Sequence, residues 1–388
     1  MPIPRVLTIV LAGGAGSRLQ PLTDRRAKAA VPFAGVYRLI DFPLSNCQHS
    51  HLSDVWVSVQ FHPVSLADHL SNGRPWDLDR TSGGLMHLHP YRGDDRGGWH
   101  AGTADLLWRY APLVREFAPD ALVVLSADAV YTLNYRDVVE THLSERASVT
   151  MVTTEVDKDA GRYGVVQSQG DVISRYDLKP DDPEGRTIAS EVFVFEPGLL
   201  LDRLEDLADD QEGESAEGGD TEGKSSGLGD LGHRILPDLV KGGRARAWRL
   251  DSYWRDVGKL DAYWAANMDF LAGAPPIDFE DPAWPIHTKG GRHAAARILP
   301  GADIDNSIVS GGCRVAGDVS RSVLGPSVVV EPGASVEDSI ILSRAVIRRG
   351  AHVTRAVVEE AAVLQSGRHG GEDIVVLGDP PPPRLSAR

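Results

Sequence analysis

The chain has few cysteines, no long apolar run and too little positive charge for several classes of protein. Its two cysteines, Cys47 and Cys313, lie far apart, which excludes a disulfide framework and a cysteine-based metal site. No stretch reaches the roughly 20 apolar residues of a membrane-spanning helix. The first residues also lack the apolar region of a signal peptide. We therefore expect a cytoplasmic protein that does not act at a membrane.

Acidic residues outnumber basic ones. The 388 residues include 40 Lys and Arg against 55 Asp and Glu, a formal net charge of −15. A protein that coats nucleic acid needs a basic face, so we expect no nucleic-acid partner. Hydrophobic residues make up 42% of the chain, enough for a large core. The length favours two or three domains of about 150 residues each, and the composition leaves a globular enzyme or a binding protein.

Short β-branched runs alternate with helical patterns over residues 1–272. Strand-like runs are found at Val6–Ala12, Val55–Val59, Ala121–Leu125, Ser148–Thr154 and Val192–Phe195, and helical patterns at Thr103–Phe117 and Arg136–Arg146. Strands that alternate with helices are typical of an α/β layer. We therefore predict a Rossmann-like α/β domain over 1–272 with a mixed, mostly parallel sheet.

Three segments differ in composition from this domain. Within residues 205–229, positions 205–222 hold nine acidic residues and no basic one. Such a segment buries too little apolar surface to offset its ordering entropy, so we predict a mobile surface loop, with an acidic docking segment as the alternative. Four prolines punctuate residues 273–296, which predicts an interdomain linker. We expect the tail, residues 379–388, to be frayed.

Apolar residues return every six positions within residues 297–378. One series is Leu324, Val330, Val336 and Leu342, and a second is Ala345, Ala351, Val357 and Val363. A six-residue period predicts a parallel β-helix, in which each repeat contributes one flat face. A β-sandwich, whose strands alternate with period two, is the alternative.

A glycine-rich segment, LAGGAGSRL over residues 11–19, follows the first predicted strand. Glycines at 13, 14 and 16 let the backbone approach a ligand and point N–H groups at an anion. The spacing fits neither the dinucleotide-binding fingerprint nor a Walker loop, which disfavours a dehydrogenase and a P-loop ATPase. Arg18 and Lys28 would place cations against phosphate oxygens. A tight turn with a surface arginine is the alternative.

The motifs along the chain resemble those of the sugar-1-phosphate nucleotidylyltransferases, and most closely those of the glucose-1-phosphate adenylyltransferase family. The matching stretches are 13–23, 26–28, 37–42, 43–47, 102–105, 253–258 (YWRDVG) and 284–286 (WPI). The resemblance runs from residue 5 to about residue 365. It implies a nucleotidyltransferase domain followed by a left-handed parallel β-helix. It also implies that ATP and glucose 1-phosphate react to ADP-glucose and pyrophosphate, for glycogen or a related α-glucan.

The resemblance implies roles for individual residues as well. It implies catalytic roles for Arg18, Lys28 and Asp128, and a Mg²⁺ site at Asp128 and Asp256. It implies nucleotide contacts for Leu11, Ala12, Gly13, Gly14, Gly16, Arg18, Gly102, Thr103 and Asp105. It implies sugar-phosphate contacts for Tyr163, Gly164, Lys179, Ser190, Asp230 and Trp254. Mg²⁺ prefers oxygen ligands and needs only one or two carboxylates beside substrate phosphates. Taken without the resemblance, a helix cap or a salt-bridge partner is the alternative for either aspartate.

Regulation and assembly are implied in the same way. Arg25, Arg26 and Arg38 match positions where the family gathers basic residues for a phosphorylated allosteric effector. A basic surface cluster without a ligand explains them almost as well. The family's members are tetramers, so we expect a homotetramer with contacts through the β-helix.

Several positions depart from the family pattern. Gly-Asp-His is Ala127-Asp128-Ala129, Glu-Lys-Pro is Leu178-Lys179-Pro180, and Ser-Met-Gly is Ala189-Ser190-Glu191. These changes fall more on the expected sugar pocket than on the phosphate and metal residues. They leave two alternatives to the adenylyltransferase: an enzyme for another nucleotide or sugar phosphate, and a catalytically silent regulatory subunit that pairs with an active paralogue.

Overall fold

The computed structural model describes residues 3–92, 96–217 and 227–379. The N-terminal part is an α/β domain. Its strands are β1 (Val6–Leu11), β2 (Pro32–Phe33), β3 (Tyr37–Arg38), β4 (Asp54–Ser58), β5 (Gly84–Leu88), β6 (Ala121–Ser126), β7 (Ala129–Tyr131), β8 (Val149–Glu155), β9 (Gly164–Gln169), β10 (Val172–Leu178), β11 (Thr187–Phe195), β12 (Ala245–Arg249) and β13 (Trp254–Asp256). Its helices are α1 (Asp41–His49), α2 (Pro63–Leu70), α3 (Thr103–Phe117), α4 (Tyr135–Ser144), α5 (Pro197–Glu217), α6 (Ile235–Lys241) and α7 (Leu260–Asp269). No helix in these ranges is both long and apolar enough to cross a membrane.

One large mixed sheet organises the domain, in the order β5-β4-β1-β6-β11-β8-β12-β10-β9. Strands β10 and β11 run opposite to the others. The inner strands β1 and β6 are buried on both faces because helices cover the sheet on each side, as expected for apolar, β-branched runs. The predicted mixed, mostly parallel sheet is confirmed, and the carboxyl ends of β1, β4 and β6 lie at one edge.

The acidic segment is helical over residues 205–217, which corrects the prediction of a loop at 205–229. Residues 205–217 belong to α5, which continues a helix that begins at Pro197. Leu200, Leu204, Leu207 and Ala208 recur at helical spacing and are buried in the core, so burial of one face holds the helix. The rest of the predicted loop, at 218–226, lies outside the described residues.

The C-terminal part is a parallel β-helix built from short strands. They are β14 (Arg297–Ile298), β15 (Ile304–Asp305), β16 (Ile308–Val309), β17 (Arg314–Val315), β18 (Asp318–Ser320), β19 (Val323–Leu324), β20 (Val329–Val330), β21 (Ser335–Glu337), β22 (Ile340–Ile341), β23 (Val346–Ile347), β24 (Ala351–Val358), β25 (Val363–Leu364) and β26 (Gly367–Leu377). Equivalent strands of successive turns pair in parallel, as in β17, β20, β23 and β25. The predicted left-handed β-helix is confirmed, and the β-sandwich is excluded.

The six-residue periodicity matches the interior of this β-helix with one exception. Every residue of the two series is buried except Val363, which is 46% exposed, while its neighbour Leu364 points inward. The six-residue period therefore identifies the inward-facing residues of the β-helix correctly up to its last turns. Of the tail expected at 379–388, residues 380–388 lie outside the described residues.

The β-helix packs on the α/β domain beside the segment that follows β1. Leu39, Phe42 and Tyr263 form one apolar cluster with Ile340 and Val357 of the β-helix. The predicted linker at 273–296 is also held down, since the Trp284 indole donates to Asn46 Oδ1 at 3.1 Å. The two parts therefore share a buried apolar boundary.

Candidate active site

A cavity of about 380 Å³ opens where β1, β4 and β6 end. Gly13 and Gly14 of the glycine-rich segment line it, as does Leu11. A Cβ on Gly13 would lie 3.2 Å from Ser58 Oγ, so the backbone passes close to β4. The Ser58 hydroxyl is buried and has no hydrogen-bond partner within the described part of the chain. This end of the cavity therefore presents open backbone and an unused hydroxyl, as an anion site requires.

A cation and two carboxylates meet beside the cavity. Asp128 follows β6 and lines the cavity wall, and Lys28 Nζ lies 2.7 Å from its Oδ2. Lys28 is buried at the start of a short 3-10 helix. Antiparallel pairing of β13 with β7 sets Asp256 opposite Ala129, the residue after Asp128. Two sequence-distant aspartates are thus brought together by one strand pair.

Several charges act on Asp256. Burial raises the pKa of Asp256, Lys28 lowers it, and the neighbouring Asp128 raises it; Arg18 and Arg162 lower it further. Arg162 Nη2 lies 3.8 Å from Asp256 Oδ2. The cluster therefore balances two carboxylates against three cations, a composition suited to phosphate groups and a divalent ion.

The two aspartates fit a Mg²⁺ ion that is completed by substrate. Within the described ranges, no group of three His, Cys, Asp or Glu side chains is placed to hold an ion alone. Mg²⁺ commonly uses one or two carboxylates together with phosphate oxygens and water. The donor set at Asp128 and Asp256 matches that mode of binding.

The cavity is also lined by the expected sugar-phosphate residues Tyr163, Gly164, Lys179 and Asp230. A Cβ on Gly164 would lie 2.4 Å from the hydroxyl of Tyr176, so only glycine fits there. Lys179 has a left-handed backbone, with φ of 48°, and its N–H donates to the Tyr163 carbonyl at 2.8 Å. This backbone bond holds Lys179 beside the strand that carries Gly164.

The start of α3 crosses the segment around residue 230. Gly102 has φ of 122°, and a Cβ there would lie 2.3 Å from the Gly229 backbone. Thr103 N–H donates to Asp230 Oδ1 at 3.0 Å, while Thr103 Oγ1 accepts from Leu231 N–H at 2.9 Å. Both Gly102 and Thr103 line the cavity, and their contacts with the nucleotide stay predictions.

Two predicted contact residues are buried away from the cavity. Ser190 points to the far face of β11 and donates to the Val152 carbonyl at 3.0 Å. Asp105 lies inside the domain, where it pairs with Arg109 at 2.9 Å and accepts from Ala101 N–H. Ser190 is therefore corrected from a sugar contact, and Asp105 from a nucleotide contact, to structural residues.

Three further predicted residues support the cavity without lining it. Ala12 is buried beneath the glycine-rich turn. Gly16 has φ of 68°, and a Cβ there would come within 2.9 Å of Thr23 Cγ2. Trp254 packs edge-on against Tyr163, with ring centroids 5.6 Å apart. These residues support the site from behind, and their direct contacts with substrate stay predictions.

The expected effector arginines do not form one exposed cluster. Arg25 is exposed, but Arg26 is buried in a bidentate pair with Glu359 of the β-helix, at 2.7 and 3.2 Å. Arg38 donates to His69 Nδ1 at 3.1 Å and to the Ala30 carbonyl. The guanidinium groups of Arg26 and Arg38 are thus committed to internal partners, which corrects their assignment as effector ligands.

Glu191 is a site residue that the sequence analysis missed. Its side chain lines the cavity and is exposed there, with protein atoms close on most sides. Burial, with Asp128 and Asp256 nearby, raises the pKa of Glu191 to about 7, against the opposing effects of Lys28 and the Ser126 hydroxyl. The sequence carries two signals: a charged residue within an apolar strand, and the departure from the family's Ser-Met-Gly pattern at Ala189-Ser190-Glu191.

Gln60 and His100 also line the cavity without having been predicted. Gln60 Oε1 accepts from His100 N–H at 2.7 Å, and Gln60 Nε2 donates to the His100 carbonyl at 3.1 Å. Burial lowers the pKa of His100 to about 4, so the ring is neutral. No spacing rule connects a glutamine after β4 with a loop residue 40 positions later, so the sequence carries no signal for this pair.

Comparison with known proteins agrees with this geometry. Residues 7–273 match a family described as "Nucleotidyl transferase", and residues 296–376 match "GlmU-like, C-terminal hexapeptide". The chain is 37% identical over 341 residues to a protein of Acetivibrio thermocellus named glucose-1-phosphate adenylyltransferase, covering 87% of this chain and 77% of that one. Proteins of the same name from Thermomicrobium roseum and Clostridium acetobutylicum are 38% and 36% identical, covering 80% and 84% of this chain and 70% and 83% of theirs.

Proposed function

The chain belongs to the glucose-1-phosphate adenylyltransferase family of nucleotidyl transferases, and we propose that it converts ATP and glucose 1-phosphate to ADP-glucose and pyrophosphate. The single observation that carries this proposal is the arrangement of one cavity. The glycine-rich turn, Asp128 and Lys179 line the same cavity, and Lys28 and Asp256 lie beside Asp128. This set of groups matches two anionic substrates whose phosphate groups meet near Asp128.

The chemistry requires alignment more than covalent participation by the protein. An oxygen of the sugar phosphate attacks the α-phosphorus of ATP, and pyrophosphate departs from the opposite side. Positioning and charge neutralisation supply most of the catalysis in phosphoryl-group reactions. Backbone N–H groups at Gly13 and Gly14 would orient the triphosphate, and Lys179 would orient the sugar phosphate.

Basic residues would neutralise the charge that moves during the reaction. Arg18 is exposed. It lies near Asp256, because a Cβ built on Gly258 would be 3.0 Å from both Asp256 carboxylate oxygens and 3.3 Å from Arg18 Nη2. It would bind the departing pyrophosphate. Lys28 is held by Asp128 at 2.7 Å, and an ammonium in that position would face the α-phosphate. Cations fixed in advance by the protein stabilise a transition state without reorganisation.

A divalent metal ion is the expected cofactor, and we propose Mg²⁺ held by Asp128 and Asp256. When bound, Mg²⁺ withdraws charge from the phosphate oxygens of ATP. The Tyr163 hydroxyl, 3.5 Å from Asp256 Oδ2, would keep that carboxylate oriented. Burial together with Asp256 raises the pKa of Tyr163 to about 12, so it remains a donor.

We also propose a homotetramer in the cytoplasm, regulated by a phosphorylated effector. The apolar side chains Ile298 and Val363 are 52% and 46% exposed on the β-helix, which supports contacts between copies there. Of the three expected effector residues, only Arg25 is exposed to solvent. An effector site would therefore need further basic residues besides Arg25. Light scattering coupled to gel filtration tests the tetramer, and a monomeric mass refutes it.

Steady-state pyrophosphate release tests the activity. Purified protein with Mg²⁺ and glucose 1-phosphate is offered ATP, UTP, dTTP and GTP separately. We expect turnover with ATP and little with the other nucleotides. Preference for another nucleotide would reassign the enzyme within the superfamily, and no turnover in folded protein would favour the regulatory subunit.

A further inference from the structure

Glu191 occupies an unusual place in the cavity wall. Strand β11 pairs with β8 regularly up to Ala189, opposite Thr153, and resumes at Phe193, opposite Met151. Four positions on β11 thus span two on β8, a bulge that holds Glu191 with φ of 61°. Bulges commonly re-aim a side chain near a functional site. Here the bulge turns a carboxylate into the cavity.

Neither the backbone nor the local charge favours glutamate at this position. A left-handed backbone is unfavourable for a residue with a Cβ, and glycine adopts it without strain. The carboxylate also lies near Asp128 and Asp256, which repel it. Strained residues of this kind are typical of functional sites. Folding alone therefore does not account for the presence of Glu191.

The surroundings of Glu191 leave its oxygens open to a ligand. Within the described residues it makes no ion pair within 4 Å, and its side chain is exposed to the cavity. Ser126 offers one hydrogen bond. The neighbouring wall is apolar at Leu178, Ala189 and Phe193. Glu191 is thus an accessible acceptor beside an apolar part of the cavity lining.

Without a cation between them, a carboxylate at this place would repel a phosphate group, because like charges repel. It also does not complete a preformed three-carboxylate metal site with the two aspartates, since the described residues contain no such group. Glu191 also lies near Tyr163 and Tyr176, which line the same cavity as Lys179, and the donors that a sugar phosphate offers there are its hydroxyl groups. Charged acceptors form strong hydrogen bonds with hydroxyl groups.

We propose that Glu191 accepts hydrogen bonds from hydroxyl groups of the acceptor sugar phosphate and so determines which sugar is used. This inference rests on the proposed function. It assigns a specificity-determining role to a residue of the β11 bulge. A site that pairs a hydroxyl discriminates strongly against an analogue that lacks it, because its own polar group is then left unpaired.

The test combines two substitutions with deoxy analogues of the sugar phosphate. Glu191→Gly removes the carboxylate and relieves the left-handed strain, and Glu191→Gln removes only the charge. Calorimetric binding and steady-state kinetics use glucose 1-phosphate and its 2-, 3-, 4- and 6-deoxy analogues. We expect Glu191→Gly to weaken glucose 1-phosphate binding about tenfold or more, in line with a lost charge-assisted bond, with Glu191→Gln intermediate. KM for ATP should stay within about twofold, as a residue outside the nucleotide contacts predicts.

The analogues identify the hydroxyl. The wild type should bind at least one deoxy analogue more weakly than glucose 1-phosphate, and Glu191→Gly should abolish that difference. Ala361→Gly is the matched control, because Ala361 has a similar φ of 59° but lies in the β-helix. Both glycine variants should melt no lower than the wild type, which separates loss of binding from misfolding. Leu178→Glu, placed in the Glu191→Gly background, should restore part of the affinity, since Leu178 lines the same wall.

The outcomes separate this inference from the proposed function. Absence of ADP-glucose formation by the wild type refutes the function, while the binding measurements still test Glu191. Unchanged affinity and unchanged deoxy discrimination in both variants would overturn the role of Glu191. A changed Mg²⁺ requirement with unchanged sugar affinity would overturn it as well, and would place the residue in the metal site.

Discussion

The buried pair between Arg26 and Glu359 predicts that the β-helix is energetically coupled to the catalytic domain. Both side chains are nearly inaccessible, at 8% and 0% exposure, and they join residues 333 positions apart. Arg26→Met leaves the Glu359 carboxylate buried without its cation. Breaking a buried pair from one side costs about 3–5 kcal/mol. At roughly 2 °C per kcal/mol for a large domain, Tm should fall by about 6–10 °C.

A double variant separates the charge effect from lost packing. Glu359→Gln keeps an oxygen for the Glu360 N–H, which donates to Glu359 at 2.9 Å, and removes the buried charge. Arg26→Met combined with Glu359→Gln should therefore recover more than half of the lost stability. Differential scanning calorimetry measures each variant, and it also shows whether the two parts begin to unfold separately.

An exposed pair provides the control for this experiment. Arg321 pairs with Asp338 at 2.7 Å on the surface of the β-helix, and surface pairs contribute little. Arg321→Met should leave Tm nearly unchanged. A drop of less than 2 °C for Arg26→Met, equal to that of Arg321→Met, would refute the coupling.

Three further perturbations test the site and the fold. Asp256→Asn should lower kcat roughly 10²–10³-fold in pyrophosphate release with unchanged circular dichroism, and normal turnover would remove Asp256 from the metal site. Gly102→Ala should lower Tm well beyond Gly229→Ala in thermal melts, because only the Gly102 Cβ would meet backbone, at 2.3 Å; equal melts would contradict the close crossing. Burial lowers the pKa of His142 from 6.5 to about 4, so the unfolded chain binds the proton more readily and stability falls as pH drops from 6.5 towards 4. His142→Gln should flatten that decline in urea titrations at pH 7 and 4.5, and an unchanged slope would contradict the assignment.

Local patterns in the sequence predict the fold well. The β-branched runs and the helix at Thr103–Phe117 are found where the sequence places them, because period-two and period-3.6 patterns follow directly from which face is buried. The segment at 205–217 is an exception, since its charge suggests a loop while its few leucines still fill one helical face. The overall composition of a segment does not show that a few apolar residues at helical spacing can fill one buried face.

The candidate site is predictable only where a motif fixes the backbone. Gly102 and Gly164 lie where their neighbours leave no room for a Cβ, and a Cβ on Gly13 would lie only 3.2 Å from Ser58 Oγ; motifs record such constraints well. Ser190 is expected to face the sugar phosphate, but a bulge in β11 turns Glu191 towards the cavity instead. A shift of one position reverses the face of a strand side chain, and the sequence does not show where a bulge begins.

The most direct test of the account follows the adenylyl group itself. ATP labelled at the α-phosphate is incubated with glucose 1-phosphate, Mg²⁺ and the full-length protein, and the products are separated by mass spectrometry. We expect the label to appear in ADP-glucose and the pyrophosphate to remain unlabelled. Folded protein that binds ATP and leaves the label entirely in ATP would contradict the assignment of this cavity as an adenylyl-transfer site.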